Sequence, residues 1–365
     1  MLITKTTITD IVTAISSHVK DKAALITIAE HTEIDLEHLV KALKEAGIPF
    51  MGGLFPKVIH GNTILDKGIV INTLDNLESL FVIKGISTAV FDIPDFDFNP
   101  NNDYSLFTYV DGLTSNISNY LSALYIKYGM QTNYLGGGAG SLSLEQKPCV
   151  FTNEGIFKDA AVVAILKMAS RIGVRHGWKK VGGPFIVTKA DGNIIKEINW
   201  KNPFEVYRQI VETHSGRVFT DDNFFDIAKG YPFGILKEDA ECVVRDPLML
   251  NEQQELVCVG ELEDNMLVDI LHGNTTSLIE AARTATYDSV TQASAPKKAI
   301  IIDCISRILF LEEDFDRELK AITSTIKEAF PEVSIGGALT LGEISSYGEG
   351  FLEFYNKTTV VGLFE

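Results

Sequence analysis

The chain has 365 residues, 45% of them hydrophobic, enough for one large core or two domains of ordinary size. Against 32 Lys and Arg stand 49 Asp and Glu, and the formal charge of −17 repels phosphate backbones. Nucleic acid and anionic membranes are therefore not the expected partners, and no apolar run approaches the roughly 20 residues of a membrane helix.

The start, Met1–Lys5, lacks the basic head and apolar stretch of a signal peptide. Cys149, Cys242, Cys258 and Cys304 form no Cys-x-x-Cys pair, so neither a zinc ribbon nor a thioredoxin-like site is indicated. Scattered thiols suit a reducing compartment, and a cytoplasmic protein is expected.

Ile8, Ile11, Val12 and Ile15 recur at helical spacing and predict an opening helix over about 7–19. The run 23–29 has strand length. Thr32-Glu33-Ile34-Asp35 reads as a helix start, followed by Leu36, Leu39, Val40, Leu43 and Ala46 on one face and a stop at Gly47. A strand over 48–51 meets Gly52-Gly53, and two more runs, around 56–60 and 68–74, read as a hairpin.

The same grammar returns. A strand over 106–110 ends at Asp111-Gly112, and Ile117, Tyr120, Leu121, Leu124, Tyr125 and Tyr128 form a helical stripe. A strand over 132–135 then meets the cluster Gly136-Gly137-Gly138-Ala139-Gly140, with outgoing strands at 149–151 and 157–168. Near the C-terminus a strand over 299–304 is of the type buried on both faces. Leu319, Ile322, Ile326 and Ala329 mark a helix, and 333–335 leads to Gly336-Gly337 before closing strands at 351–355 and 358–364.

This predicts an α/β (α+β) fold of mixed sheets covered by helices. It is built from three strand–helix–strand–glycine–hairpin modules, at about 23–75, 104–168 and 298–364. The paired glycines are expected to be turns that converge on a shared hollow. Between the second and third modules, Asp191-Gly192 predicts a hairpin over 185–196. Asn202-Pro203 starts a helix, short strands follow near 241–244, 256–259 and 266–271, and Ser277–Glu280 opens a helix that runs to about 291. The acidic segment 91–103 reads as a loop whose aromatics pin it to the surface.

The order of several short motifs resembles the FIST family, with FIST-N and FIST-C halves at 1–215 and 216–365. The motifs are Gly52-Gly53-Leu54-Phe55-Pro56, Asp111-Gly112-Leu113, the cluster at 136–140, His176-Gly177-Trp178, and Pro232-Phe233-Gly234 leading to Val243-Val244-Arg245. Cys304-Ile305-Ser306-Arg307, Gly342-Glu343-Ile344 and Asn356-Lys357-Thr358-Thr359 complete the set. The resemblance implies a stand-alone sensory module that binds a small ligand, with amino acids as suggested ligands, and a signalling protein as partner. Some members bind haem and sense nitric oxide, which makes haem an alternative cofactor and His176 its axial ligand. No other metal is expected.

The candidate site residues follow. Gly52, Gly53, Gly137, Gly138, Gly336 and Gly337 are read as ligand-facing turns or, equally, as tight packing. Arg245 and Arg307 offer guanidinium forks for a ligand carboxylate, or ion-pair within the protein. Glu343 and Asp111 are candidates for gripping an amine; their alternatives are a surface or ion-paired glutamate and a turn or helix cap. His176 would bond the ligand, with Trp178 as an apolar wall, or would satisfy loop backbone. Cys304 touches ligand or simply packs. An enzyme using Cys304 as nucleophile or Glu343 as acid/base is a further alternative, with no complete constellation to support it.

Overall fold

The computed structural model describes residues 1–5, 7–237, 241–346 and 352–365. Its order begins β1 (Leu2–Ile3), α1 (Ile8–Val19), β2 (Ala23–Ala29), α2 (Leu36–Glu45), β3 (Phe50–Phe55), β4 (Lys57–His60), β5 (Thr63–Leu65) and β6 (Ile69–Leu74). Next come β7 (Leu77–Lys84), β8 (Ser105–Asp111), α3 (Ile117–Tyr128), β9 (Asn133–Ala139), β10 (Val150–Thr152), β11 (Gly155–Phe157), β12 (Ala160–Leu166) and β13 (Ser170–Arg175). A second β-rich stretch holds β14 (Lys179–Asp191), β15 (Ile194–Ile198), α4 (Pro203–Ser215), α5 (Phe224–Ala228), β16 (Phe233–Ile235), β17 (Val243–Arg245), β18 (Pro247–Leu250), β19 (Leu256–Cys258) and β20 (Leu267–His272). The chain ends with α6 (Thr275–Gln292), β21 (Lys298–Cys304), α7 (Ile305–Leu311), α8 (Phe315–Ala329), β22 (Ser334–Thr340), β23 (Glu343–Ser346), β24 (Leu352–Tyr355) and β25 (Thr359–Phe364). Among the described residues, no helix is long and apolar enough to cross a membrane.

Three six-stranded sheets share one plan. Their orders are β1-β6-β2-β3-β10-β11, β7-β12-β8-β9-β23-β24 and β13-β25-β21-β22-β4-β5. In each, a parallel pair joined through helix forms the centre: β2 with β3, β8 with β9, β21 with β22. In each, too, the outer hairpin comes from a different repeat. Hairpin β4–β5 leaves the first repeat and completes the third; β10–β11 completes the first; β23–β24 completes the second. The runs 56–60 and 68–74 are therefore not partners, as the sequence reading had them: β4 pairs with β22 and β5, and β6 returns to β2.

Alternation along the central strands explains the layering. Leu25, Phe107, Tyr109, Ile300 and Ile302 turn inward to one core shared by all three sheets. Ile26 and Ile28 face α1 and α2, Leu106 and Val110 face α3, and Ala299 and Ile301 face α6 and α8. A fourth sheet, β17-β16-β20-β14-β15-β19-β18, packs beside this body.

The paired glycines are not turns. Gly52 and Gly53 lie inside β3, Gly136, Gly137 and Gly138 inside β9, and Gly336 and Gly337 inside β22. Gly52, Gly136 and Gly337 hold equivalent positions, opposite Ile26, Thr108 and Ile301 of their parallel partners. At each, an added Cβ would run into the partner's carbonyl oxygen. What these positions require is room rather than conformational freedom.

Two helix starts also differ from the sequence reading. Asp35, not Thr32, caps α2 by accepting the His38 N–H at 2.9 Å, while the Thr32 hydroxyl is drawn to Gly68. Asn274 caps α6, and Ser277 is the reciprocal member of that capping box.

Gly136→Ala and Gly337→Ala are each expected to cost about 1–3 kcal/mol or more, because the displaced atom is backbone and cannot rotate away. Denaturant midpoints with an unchanged slope would show it; a loss under about 0.5 kcal/mol would mean that these strands are not held so close.

Candidate functional site

Arg307, in α7, is wholly buried and all its donors are engaged. Its Nε and one terminal nitrogen form a fork on Glu318 of α8 at 2.8 and 2.6 Å. The other donors reach the carbonyls of His176 (2.7 Å), Lys357 (3.0 Å) and Leu278 (3.0 Å). Asp303 of β21 lies 3.4 Å away. Burial opposes the charge, and Glu318 more than offsets it, raising the pKa. The fork expected for a ligand carboxylate is thus filled by the protein's own carboxylate.

Glu343 is equally enclosed. Its oxygens accept the Thr340 hydroxyl at 3.0 Å and the Thr358 N–H at 3.2 Å. Asp303 accepts from the Cys304 N–H and the Thr359 hydroxyl. Burial first, and then repulsion from neighbouring carboxylates, raises both acids well above the usual carboxylate range. Cys304 is 1% exposed, and burial with Glu343 nearby pushes its thiol far up, the opposite of an activated nucleophile.

The remaining predicted residues surround this centre or lie apart from it. His176 Nδ1 accepts the Trp178 N–H at 2.9 Å, and Nε2 meets Glu241 at 2.8 Å and Cys242 at 3.3 Å. Burial lowers its pKa, whereas Cys242 and Glu241 raise it, to about 9 on balance. Yet the second proton would have to sit on Nδ1, where the Trp178 N–H already points. That geometry decides for a neutral ring with its proton on Nε2. With both nitrogens committed, His176 does not fit an axial haem ligand. Trp178 donates Nε1–H to the Lys357 carbonyl and lies edge-on to Phe310; it packs in the core. Arg245 is 3% exposed and donates to the carbonyls of Glu261, Val244 and Phe354. Asp111 closes β8 by accepting from Leu113 N, Gln146 Nε2 and Asp159 N, the turn-capping alternative. Gly53, Gly137, Gly138 and Gly336 are packed by Phe55, Thr340, Phe354 and Asn72 respectively.

Open space lies beyond the strand ends, where α/β sheets commonly take ligands. A cavity of about 480 Å³ sits at the C-terminal ends of β8, β9, β21 and β22. Leu113, Ile117, Ile305, Leu309, Leu341 and Phe354 make it mainly apolar, with Ser306, Asn193 and Glu261 as polar points. Leu142, Leu144, Phe225 and Leu309 also line it, at 39–56% exposure, although large apolar groups are usually covered. A second, more polar cavity of about 610 Å³ shares Leu113 and Leu142 with it, and includes Glu30, Asp111 and Cys149.

Residues 24–201 match the FIST N domain and 203–346 the FIST C domain. The chain belongs to the FIST family. No curated protein matches it. FIST domains are sensory, signal-transduction domains. In this FIST protein the apolar cavity draws on both segments: Leu113, Leu142 and Asn193 from FIST N, and Phe225, Glu261, Ile305, Ser306 and Leu309 from FIST C. Sequence reasoning names none of these as a site residue, because they come from separate segments with no shared pattern. Leu142 and Leu144, alternating with serines in the 140–149 linker, were the one readable signal.

Removing one partner of the buried fork, as in Glu318→Gln, is expected to cost about 3–5 kcal/mol. Urea denaturation reads the loss, and a loss under about 1 kcal/mol would contradict a buried guanidinium left without its carboxylate.

A pH effect follows from the raised acids. Carboxyls held above their unfolded pKa stabilise the fold below about pH 4, and that contribution is lost as pH rises toward their folded values. Glu343→Gln, which resembles the protonated acid, should lose less stability than wild type between pH 5 and pH 9. Parallel curves for the two proteins would show that Glu343 is not held protonated.

Proposed function

We propose that this FIST protein senses a small, largely apolar molecule bound in the cavity that FIST N and FIST C residues build together. The observation carrying this reading is the apolar lining at the ends of the central strands, with four large apolar side chains left exposed around it. A ligand there touches the linker 140–149, the first turn of α7 and the strand β24. Its binding favours whichever arrangement of these surfaces fits it best. A signalling protein that reads those surfaces would receive the message.

The predicted amino-acid-like ligand, gripped by arginine and glutamate, finds less support. Arg307 and Glu343 lie outside this lining with their hydrogen bonds spent inside the protein. The same enclosure favours a binding role over catalysis by Cys304 or Glu343. Free thiols at all four cysteines suit a cytoplasmic setting.

Thermal-shift screening of wild type against a metabolite collection should give hits that Leu309→Trp abolishes, since Leu309 is exposed at the cavity and a larger ring there fills space without disturbing the core. Hits that persist undiminished in Leu309→Trp would place the binding elsewhere.

A further inference from the structure

The electrostatics of the apolar cavity point to a class of ligand, an inference that rests on the cavity being the sensory site. Among the described residues that line it there is no lysine, arginine or histidine. The ionisable groups are Glu261 and Cys258. Burial and the nearby Asp246 push the Cys258 thiol far up, so it stays neutral. Glu261 is therefore the one charge at the wall. Its Oε1 accepts the Asn116 N–H at 2.7 Å, which fixes the side chain at the start of α3.

The cation nearest in the chain, Arg245, spends Nε on the Glu261 carbonyl and another nitrogen on Val244, Phe354 and Asn356. It lines a neighbouring cavity that Glu261 also borders, but not this one. Behind the wall, Lys357 is paired with Asp246 at 3.0 Å. A carboxylate ligand entering here would shed its hydration, meet no free cation and face Glu261. A ligand cation would recover part of the hydration it sheds, with Glu261 beside it and the rings of Phe225 and Phe354 in the same lining. The charge of −17 over the whole chain acts in the same direction.

We propose that the cavity recognises an amphipathic organic cation: an apolar body bearing one ammonium group, with the charge held at Glu261 and the body among Leu113, Ile305, Leu309 and Leu341. Glu261 sets the preference for charge, and the leucine-rich wall sets the preference for an apolar body.

Three probes of one skeleton test this: phenylpropylamine, phenylpropanol and phenylpropanoate, measured by calorimetry on the full chain at low salt. The amine should bind roughly tenfold more tightly than the alcohol, and the carboxylate more weakly than both. Glu261→Gln keeps an oxygen for the Asn116 N–H, so the fold is retained. In it the amine should fall to the level of the alcohol while the alcohol itself is unchanged. Equal binding of amine and alcohol to wild type, or an amine preference that survives Glu261→Gln, overturns the cation assignment while leaving the cavity as an apolar site. Absence of binding by all three probes overturns the cavity reading as well.

Discussion

Arg307 is the point on which the closed arrangement depends. One guanidinium binds β21, α6, α8, the turn after β13 and the β24–β25 connection. Only a planar group with five donors can meet that many acceptors, and lysine could not substitute. A charge so deep would be prohibitive alone, and Glu318 makes it tolerable. Around the pair lie Asp303, Glu343, Lys357 and Asp246, all buried. Several of the short motifs that identify the family thus come from distant parts of the chain to one ionic centre. Their hydrogen bonds are made within the protein and tie its elements together.

That centre also shapes the cavity. Ile305 and Ser306 line the cavity and precede Arg307 directly in the first turn of α7. Anchoring Arg307 therefore fixes the wall that a ligand would press against. Trp178 and Lys357 support the same region from behind, with the ammonium 4.8 Å from the indole ring centre. A rigid polar core under an apolar pocket gives the pocket definite walls, whereas the linker 140–149 on its far side is largely exposed.

Much of the architecture was legible because burial writes itself into spacing. The continuous apolar runs of β2, β8 and β21 and the helical stripes of α2, α3 and α8 all appear where periodicity puts them. The hairpin partners did not, since pairing between β4 and β22 spans most of the chain and leaves no local trace. The glycines were noticed and misassigned: a turn and a strand pressed against a carbonyl ask for the same letter. Arg307 and Arg245 looked like ligand groups because sequence shows a charge but not its burial. Glu318, eleven residues after Arg307, gave no hint that the two would meet. Glu261 and Leu309, which face the cavity, were indistinguishable from ordinary surface residues.

The exchange of hairpins has a consequence for synthesis. Residues 57–65 emerge early, yet their partner strand, 334–340, is made near the end. The first repeat in turn waits for 150–157, and the second for 343–355. No repeat can complete its own sheet as it leaves the ribosome. The first sheet can close once residue 157 has emerged, but the nascent chain must carry unpaired edges of the second and third until almost the last residues arrive.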